Sequence, residues 1–172
     1  MANEKSGLEI ERKYIVLMPS ESAMRGMPDF DESEIEQIYL PTEPGITRRI
    51  RRRAWAEKTR YYFTEKRRVD NMSAEEREWE IGADEYASLS GSMMLGTRPV
   101  RKRRCTFLYA GQLFEVDIYP DWHATAIMET ELSDRDSTVR MPDFLRIVRE
   151  VTGLHEYSNA AMSVRFPTED KI

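Results

Sequence analysis

Side chains able to hold phosphate and metal alternate along this chain. Near the N-terminus, Glu9-Ile10-Glu11-Arg12-Lys13 puts two carboxylates and an ammonium on one face of an extended segment, with Leu8, Ile10 and Tyr14 on the other. Taken alone, such a face is the wet side of a half-buried strand. Here it recurs. Arg49, Arg51 and Arg53 alternate, as do Thr64, Lys66 and Arg68, and Glu78 and Glu80 share a face against Trp79 and Ile81. Lys102 and Arg104 form a basic pair, Glu115 and Asp117 an acidic pair against Phe114, Val116 and Ile118, and Glu129 and Glu131 another acidic pair. Carboxylates two residues apart suit a hard divalent cation, typically magnesium, bound through oxygen and retained water. Arginine forks and lysine ammoniums suit phosphate oxygens. A lining of bases repels itself unless something anionic occupies it. An internal salt-bridge lattice is the competing arrangement, but the ligand reading explains more: both sets together describe a site for a metal-bound polyphosphate.

Such faces need a scaffold that turns all of them one way. Period-two strands are predicted at 7–17, 36–40, 46–55, 59–68, 76–82, 99–109, 112–119 and 124–132, about eight, a number that can close a small barrel. Gly111 marks a hairpin between the sixth and seventh. The stretch from Pro19 to Glu34 is expected to hold a short helix followed by an acidic loop, and Asp84 to Leu95 a helix weakened by Gly91. Pro142 to Thr152 reads as the clearest helix. Phe144, Ile147, Val148 and Val151 make an i, i+3, i+4, i+7 stripe, Pro142 suits the first turn and Gly153 the end. That stripe would cover the barrel's outer face. A last short helix is expected from Asn159 to Val164, with a fraying tail from Pro167.

The chain has 172 residues, room for one domain spanning 1–172 with a sizeable core. Its 26 basic and 31 acidic residues leave a net charge of only −5, which argues against a nucleic-acid binder recruited by bulk positive charge. The single cysteine, Cys105, excludes a disulfide framework and a cysteine-based zinc site, and is expected to pack. No apolar run approaches the roughly 18 residues of a membrane span, and Met1 to Gly7 lacks a signal peptide's apolar region. The expected setting is therefore the cytoplasm. His123 and His155 are isolated from further His or Cys ligands and read as loop residues. Trp55, Trp79 and Trp122 show no repeated stacking pattern for nucleic acid and read as packing. Arg101 and Arg103 fall on the outer face of their strand.

The ordered set of charged strands resembles the CYTH superfamily, the triphosphate tunnel metalloenzymes. Glu9-Ile10-Glu11-Arg12-Lys13 is similar to its N-terminal E-x-E-x-K signature, Gln37 to Leu40 to its second strand, and Arg49-Ile50-Arg51 to its R-x-R strand. Thr64-Glu65-Lys66, Glu78-Trp79-Glu80, Val100 to Arg104, Phe114 to Asp117 and Met128 to Leu132 resemble the later basic and acidic strands in order. Glu150 to Gly153 and Tyr157 to Asn159 resemble its ending. Cys105 replaces an aromatic often found after the K-x-R pair.

The resemblance implies an α+β, mainly β fold: an eight-stranded antiparallel β-barrel tunnel with flanking helices. It implies a hydrolase acting on a linear triphosphate, with inorganic tripolyphosphate as the leading substrate and Mg2+ or Mn2+ as cofactor. A thiamine triphosphatase, a nucleotide cyclase of the same fold and a non-catalytic polyphosphate or nucleotide sensor are the alternatives. Carried onto this chain, Glu129 and Glu131 become metal-ligand candidates, supported by Glu9 and Glu11. Lys13, Arg49, Arg51, Lys66, Lys102 and Arg104 would clamp the phosphates, and Glu78, Glu80, Glu115 and Asp117 would orient those bases or water. Tyr39, as proton acceptor, and Lys102 are assigned to the chemistry, although an unperturbed tyrosine is a poor base at neutral pH. The expected partner is a small-molecule triphosphate, with no nucleic acid or membrane, and a homodimer is left open.

Overall fold

A computed structural model describes residues 5–169. Nine strands follow the alternations: β1 (Lys5–Leu17), β2 (Asp31–Leu40), β3 (Ile46–Ala54), β4 (Thr59–Arg68), β5 (Ser73–Ile81), β6 (Val100–Tyr109), β7 (Gln112–Ile118), β8 (Thr125–Glu131) and β9 (Ile147–Glu150). The antiparallel order is β5-β4-β3-β2-β6-β7-β8-β1, and pairing of β5 with β1 closes the first eight into a barrel. Closure is what turns every period-two charged face toward one interior. The β6–β7 hairpin turns through Ala110 and Gly111, both at positive φ, as a two-residue type I′ connection requires.

The interior is charged, so apolar packing sits elsewhere. Tyr14, Val16, Cys105, Phe107, Phe114, Val116 and Met128 form an outer cluster, covered by Met24 of α1 (Glu21–Arg25) and by Val139 to Leu145. Ile38, Ile50, Trp79 and Ile81 form another under Tyr86 and Leu89 of α2 (Ala83–Ser90). The third cluster fills one end of the barrel. There the inward positions change character: Ile15 follows Lys13, Val100 precedes Lys102, and Ile127 precedes Glu129. These side chains pack with Tyr39, Tyr119, Trp122, Val151, Tyr157 and Met162, joining a 3-10 turn (His155–Tyr157) and α3 (Asn159–Val164) to the barrel.

The helix expected over Pro142–Thr152 does not form. This stretch runs as turns and then as β9, antiparallel to β1. The cause lies in β1, which pairs with β5 only through Lys5–Ile10. Beyond that point its outer edge needs new partners. Arg146 accepts the Leu17 N–H, Val151 donates to the Lys13 carbonyl, and Thr152 Oγ1 accepts the Lys13 N–H. Ladder satisfaction outweighs helical periodicity here, and the β-branched residues Ile147, Val148, Val151 and Thr152 favour extended backbone. Ile147 and Val148 are consequently exposed, not buried on a helix stripe.

The acidic loop expected after α1 is instead the first part of β2, because basic β6 lies beside it: Arg103 bridges Glu32 and Glu21. The second helix stops at Ser90 before its Gly91 cap. Nor does the tail fray at Pro167. Trp122 Nε1 donates to the Pro167 carbonyl, and the Glu169 carboxylate accepts the N–H groups of His123, Ala124 and Thr125. The remainder of that expectation, from 170 onward, lies outside the described residues.

Candidate functional site

Inside the barrel lies a cavity of about 510 Å³. Its basic lining includes Lys13 on β1, Arg49, Arg51 and Arg53 on β3, Lys66 on β4, and Lys102 and Arg104 on β6. Its acidic lining includes Glu9 and Glu11 on β1, Glu76 and Glu78 on β5, Glu115 on β7, and Glu129 and Glu131 on β8. Adjacent strands set this segregation. Glu11 faces Glu131 in register, Lys13 faces Glu129, and Glu129 faces Glu115.

The bases differ in how fully the protein neutralises them. Arg104 binds both oxygens of Asp117, at 2.6 and 2.7 Å, reaches Glu129 at 3.2 Å and also pairs with Glu115. Lys102 Nζ is 2.5 Å from Asp117, and Lys13 Nζ is 2.7 Å from Glu129. Lys66 reaches Glu9 at 3.1 Å. Arg49 and Arg51 are less well served. Their nearest carboxylate oxygens, on Glu76 and Glu78, lie 3.6 and 3.8 Å away, beyond good hydrogen-bond geometry. The Nε of each arginine is buried without a hydrogen-bond partner. A buried guanidinium N–H left unsatisfied is costly.

The electrostatics separate the two arginines: burial opposes the Arg49 charge, but Glu76 and Glu78 outweigh it and raise Arg49 above its ordinary value. Burial opposes the charge on Glu129 and Asp117, but Lys13, Arg104 and Lys102 outweigh it and hold both carboxyls below their ordinary range. Burial and the neighbouring Arg49 and Arg104 push Arg51 down, with Glu78 only partly compensating. Burial brings the Lys102 ammonium down to about 8 despite Asp117, with Arg104 adding to the shift. Tyr39 is buried beside Arg49, and desolvation raises its phenol above the ordinary value. It therefore stays protonated near neutral pH and is suited to donate a hydrogen bond, not to accept a proton.

No family model matches the chain, and no curated protein matches it. Solved structures do. The inorganic triphosphatase NE1496 superposes with a TM-score of 0.60 at 27% identity, over 92% of this chain and 96% of that one. The fold of this chain is consistent with the CYTH superfamily. PH1819 of Pyrococcus horikoshii OT3 shares the fold at TM-score 0.53 and 22% identity, over 74% of this chain and 80% of its own. A putative adenylyl cyclase from Hippeastrum, HpAC1, described as having a dominant triphosphatase activity, shares it at TM-score 0.50 and 15% identity, over 73% and 80% of the two chains.

Within this barrel, every residue assigned to phosphate clamping lines the cavity: Lys13, Arg49, Arg51, Lys66, Lys102 and Arg104. Tyr39 lines it too, where the charged interior meets the apolar end. Of the supporting acids, Glu78 and Glu115 line it, while Asp117 is fully buried behind Lys102 and Arg104. Glu80 does not line it. It sits beyond the rim, paired with exposed Arg60 at 3.2 Å. Its place is taken by Glu76, two residues before Glu78 on the same strand face, close to both Arg49 and Lys66. The same alternation that singled out Glu78 was the available signal for Glu76.

The four carboxylates assigned to metal separate into two kinds. Glu9 and Glu129 are engaged by lysine and arginine, whereas Glu11 and Glu131 face each other in register, with the Lys13 ammonium 3.9 Å from Glu11. Among the described residues, no three His, Cys, Asp or Glu side chains converge on one metal position. Two facing carboxylates still fit magnesium or manganese, which commonly take one or two protein oxygens and complete their shell with phosphate and water.

The outer assignments also find their places. Arg101 is exposed and bonded to Glu36, and Cys105 is buried in the outer cluster. Trp79 stacks on Phe63, and Trp122 packs in the barrel end. Trp55 lies beneath the cations of Arg53 and Lys58. His123 sits at the tail anchor, and His155 lies at the cavity edge.

Proposed function

We propose that this protein hydrolyses a linear triphosphate, inorganic tripolyphosphate being the substrate, with Mg2+ or Mn2+ held by Glu11 and Glu131 and with the cytoplasm as its setting. The observation that carries the reading is the pair Arg49 and Arg51: two half-buried side chains facing the cavity, each with a buried, unsatisfied Nε–H and a carboxylate held off at 3.6 Å or more. A polyanion supplies the missing acceptors. A fully paired interior lattice would leave none missing.

When bound, the cation supplies charge neutralisation at the phosphate oxygens and acidifies coordinated water. The chain's own groups do the rest. Arg49, Arg51 and Lys66 hold the phosphates in register from one wall. Arg104, fixed by three carboxylates, presents an immobile positive charge to the transition state, which costs no reorganisation. Tyr39 donates its phenolic proton to a phosphate oxygen. Lys102, whose ammonium burial brings down to about 8, accepts the proton of the attacking water once it has lost its own. Enclosure by the barrel excludes bulk solvent and strengthens each of these contacts.

The test is phosphate release from tripolyphosphate, thiamine triphosphate and ATP, each with magnesium or manganese, with cyclic nucleotide measured alongside. Tripolyphosphate should be hydrolysed with the highest kcat/KM. Tight tripolyphosphate binding with no phosphate released under any of these conditions would overturn the hydrolase reading.

A further inference from the structure

The amide of Gln37 is buried where an apolar side chain would fit. Gln37 is fully buried on the inward face of β2, with Arg51 across from it on β3 and Val100 across from it on β6. Tyr39, two residues along on the same strand face, lines the cavity, and Gln37 sits behind that lining.

Only one end of this amide is used. Its Nε2 donates to the Tyr39 phenol oxygen at 3.2 Å, while Oε1 is buried without a hydrogen-bond partner. An unused acceptor at such depth is costly, and a leucine or methionine beside Tyr39 and Val100 would carry no such cost. The donor end must therefore contribute something that an apolar residue cannot.

What it contributes is the direction of the Tyr39 proton. A phenol oxygen accepts along its lone pairs and donates its single proton. Gln37 Nε2 approaches the oxygen as a donor from within the wall, and the Arg49 guanidinium presents further N–H groups to it from β3. With donors on those sides, the O–H is turned toward the cavity that Tyr39 lines. Among the described residues, no hydrogen bond takes that proton. The reverse setting of the amide is disfavoured by the same neighbours. With Oε1 on Tyr39, the Nε2 protons would lie beside Arg49 and Arg51, whose side chains carry donors only.

We propose that Gln37 is the positioning residue for Tyr39, holding the phenol oxygen so that its proton points into the cavity toward a phosphate oxygen. The proposal rests on the triphosphate reading for that acceptor, and adds to it a residue that touches neither phosphate nor metal.

The experiment is a double-mutant cycle on phosphate release from tripolyphosphate, using wild type, Gln37→Leu, Tyr39→Phe and the two combined, with Gln37→Met as a second packing of the same position. Gln37→Leu should lower kcat/KM by roughly tenfold or more, the worth of a hydrogen bond to a charged oxygen. It should cost nothing further once Tyr39→Phe is present. A packing role would instead produce the same loss in both backgrounds and overturn the proposal. Unchanged kcat/KM in Gln37→Leu, or in Tyr39→Phe alone, overturns it as well. If neither replacement of Gln37 folds, the side-chain amide signals of Gln37 in isotope-labelled protein decide. Tyr39→Phe should shift them, and signals left in place would mean that the amide does not hold the phenol. If wild type releases no phosphate, the hydrolase reading fails separately, and the same cycle is read in calorimetric dissociation constants for tripolyphosphate, with Gln37→Leu weakening binding only while Tyr39 is intact.

Discussion

At the scale of single residues, the site depends on bases that are buried and unevenly neutralised. Arg49→Ala or Arg51→Ala should weaken tripolyphosphate binding by about 1.5–3 kcal/mol, the worth of a desolvated charge-assisted contact. Arg101→Ala is the matching outside control, since Arg101 is exposed on the far face of its strand. Similar titration curves for inner and outer variants would contradict the assigned faces. Lys102 gives a sharper test. Its folded value near 8 means the neutral amine gains population as pH rises through that value, so a base at this position predicts kcat/KM rising with pH to a plateau above about 8. Lys102→Met should abolish that limb. A rate falling through the same range would instead place the Lys102 charge on the substrate. For the metal, Glu131→Gln keeps the shape but removes the anionic oxygen a hard cation prefers. Turnover should collapse with little change in Tm, because Glu131 is exposed and faces another carboxylate, and added magnesium should restore part of it. Unchanged turnover would move the metal to another wall.

At the scale of elements, strands were legible and their partners were not. β4 was read at its observed limits, because Tyr61, Tyr62, Phe63 and Thr64 favour extended backbone. β9 was misread because Phe144, Ile147, Val148 and Val151 satisfy a helical stripe by spacing, while the deciding fact lies far away in β1, where the departure of β5 leaves backbone groups unpaired. Local periodicity cannot report a vacancy on a distant edge. The tail escaped notice for a related reason: its anchor is one carboxylate meeting three backbone N–H groups that only the fold brings together. Those bonds depress Glu169 to about 2 although burial acts the other way. A depressed carboxyl contributes stability that is complete above the ordinary value of 4.5 and lost as pH falls toward 2. Trp122, which bonds the Pro167 carbonyl and packs against Phe166, reports on the tail. With Trp55 and Trp79 replaced by Phe, its fluorescence should change between pH 4.5 and 2, ahead of global unfolding. Glu169→Gln should remove that early change, and persistence of the change in the variant would assign it to other carboxyls such as Glu129 and Asp117.

At the scale of the whole molecule, the barrel inverts the usual placement of charge. Charged groups fill much of the interior, while apolar residues pack against the outer wall and at one end. The charged half of this plan was readable because alternation repeated over many strands. The apolar end was not, since Ile15, Val100 and Ile127 each look like one more apolar residue in a strand until closure stacks them at the same level. The consequence is a native state that carries unmet electrostatic demand on β3. A ligand that binds only the folded barrel stabilises it by mass action, about 2.7 kcal/mol at one hundred times its dissociation constant. For a chain of this size, each kcal/mol moves Tm by about 2–4 °C, so saturating tripolyphosphate should raise Tm by roughly 5–11 °C. Measured without divalent metal, where hydrolysis is not expected, the shift reports binding to the basic wall alone. Arg49→Ala and Arg51→Ala should each have a smaller ligand-induced shift, and Arg101→Ala should retain the wild-type one. Removing one under-neutralised guanidinium also relieves repulsion from its neighbour, so Arg51→Ala should begin from an unliganded Tm at or above that of wild type. A tripolyphosphate shift that is absent in wild type, or equal in all four proteins, would mean that the interior charges satisfy one another and that the barrel is a closed salt-bridge lattice with no bound anion to complete it.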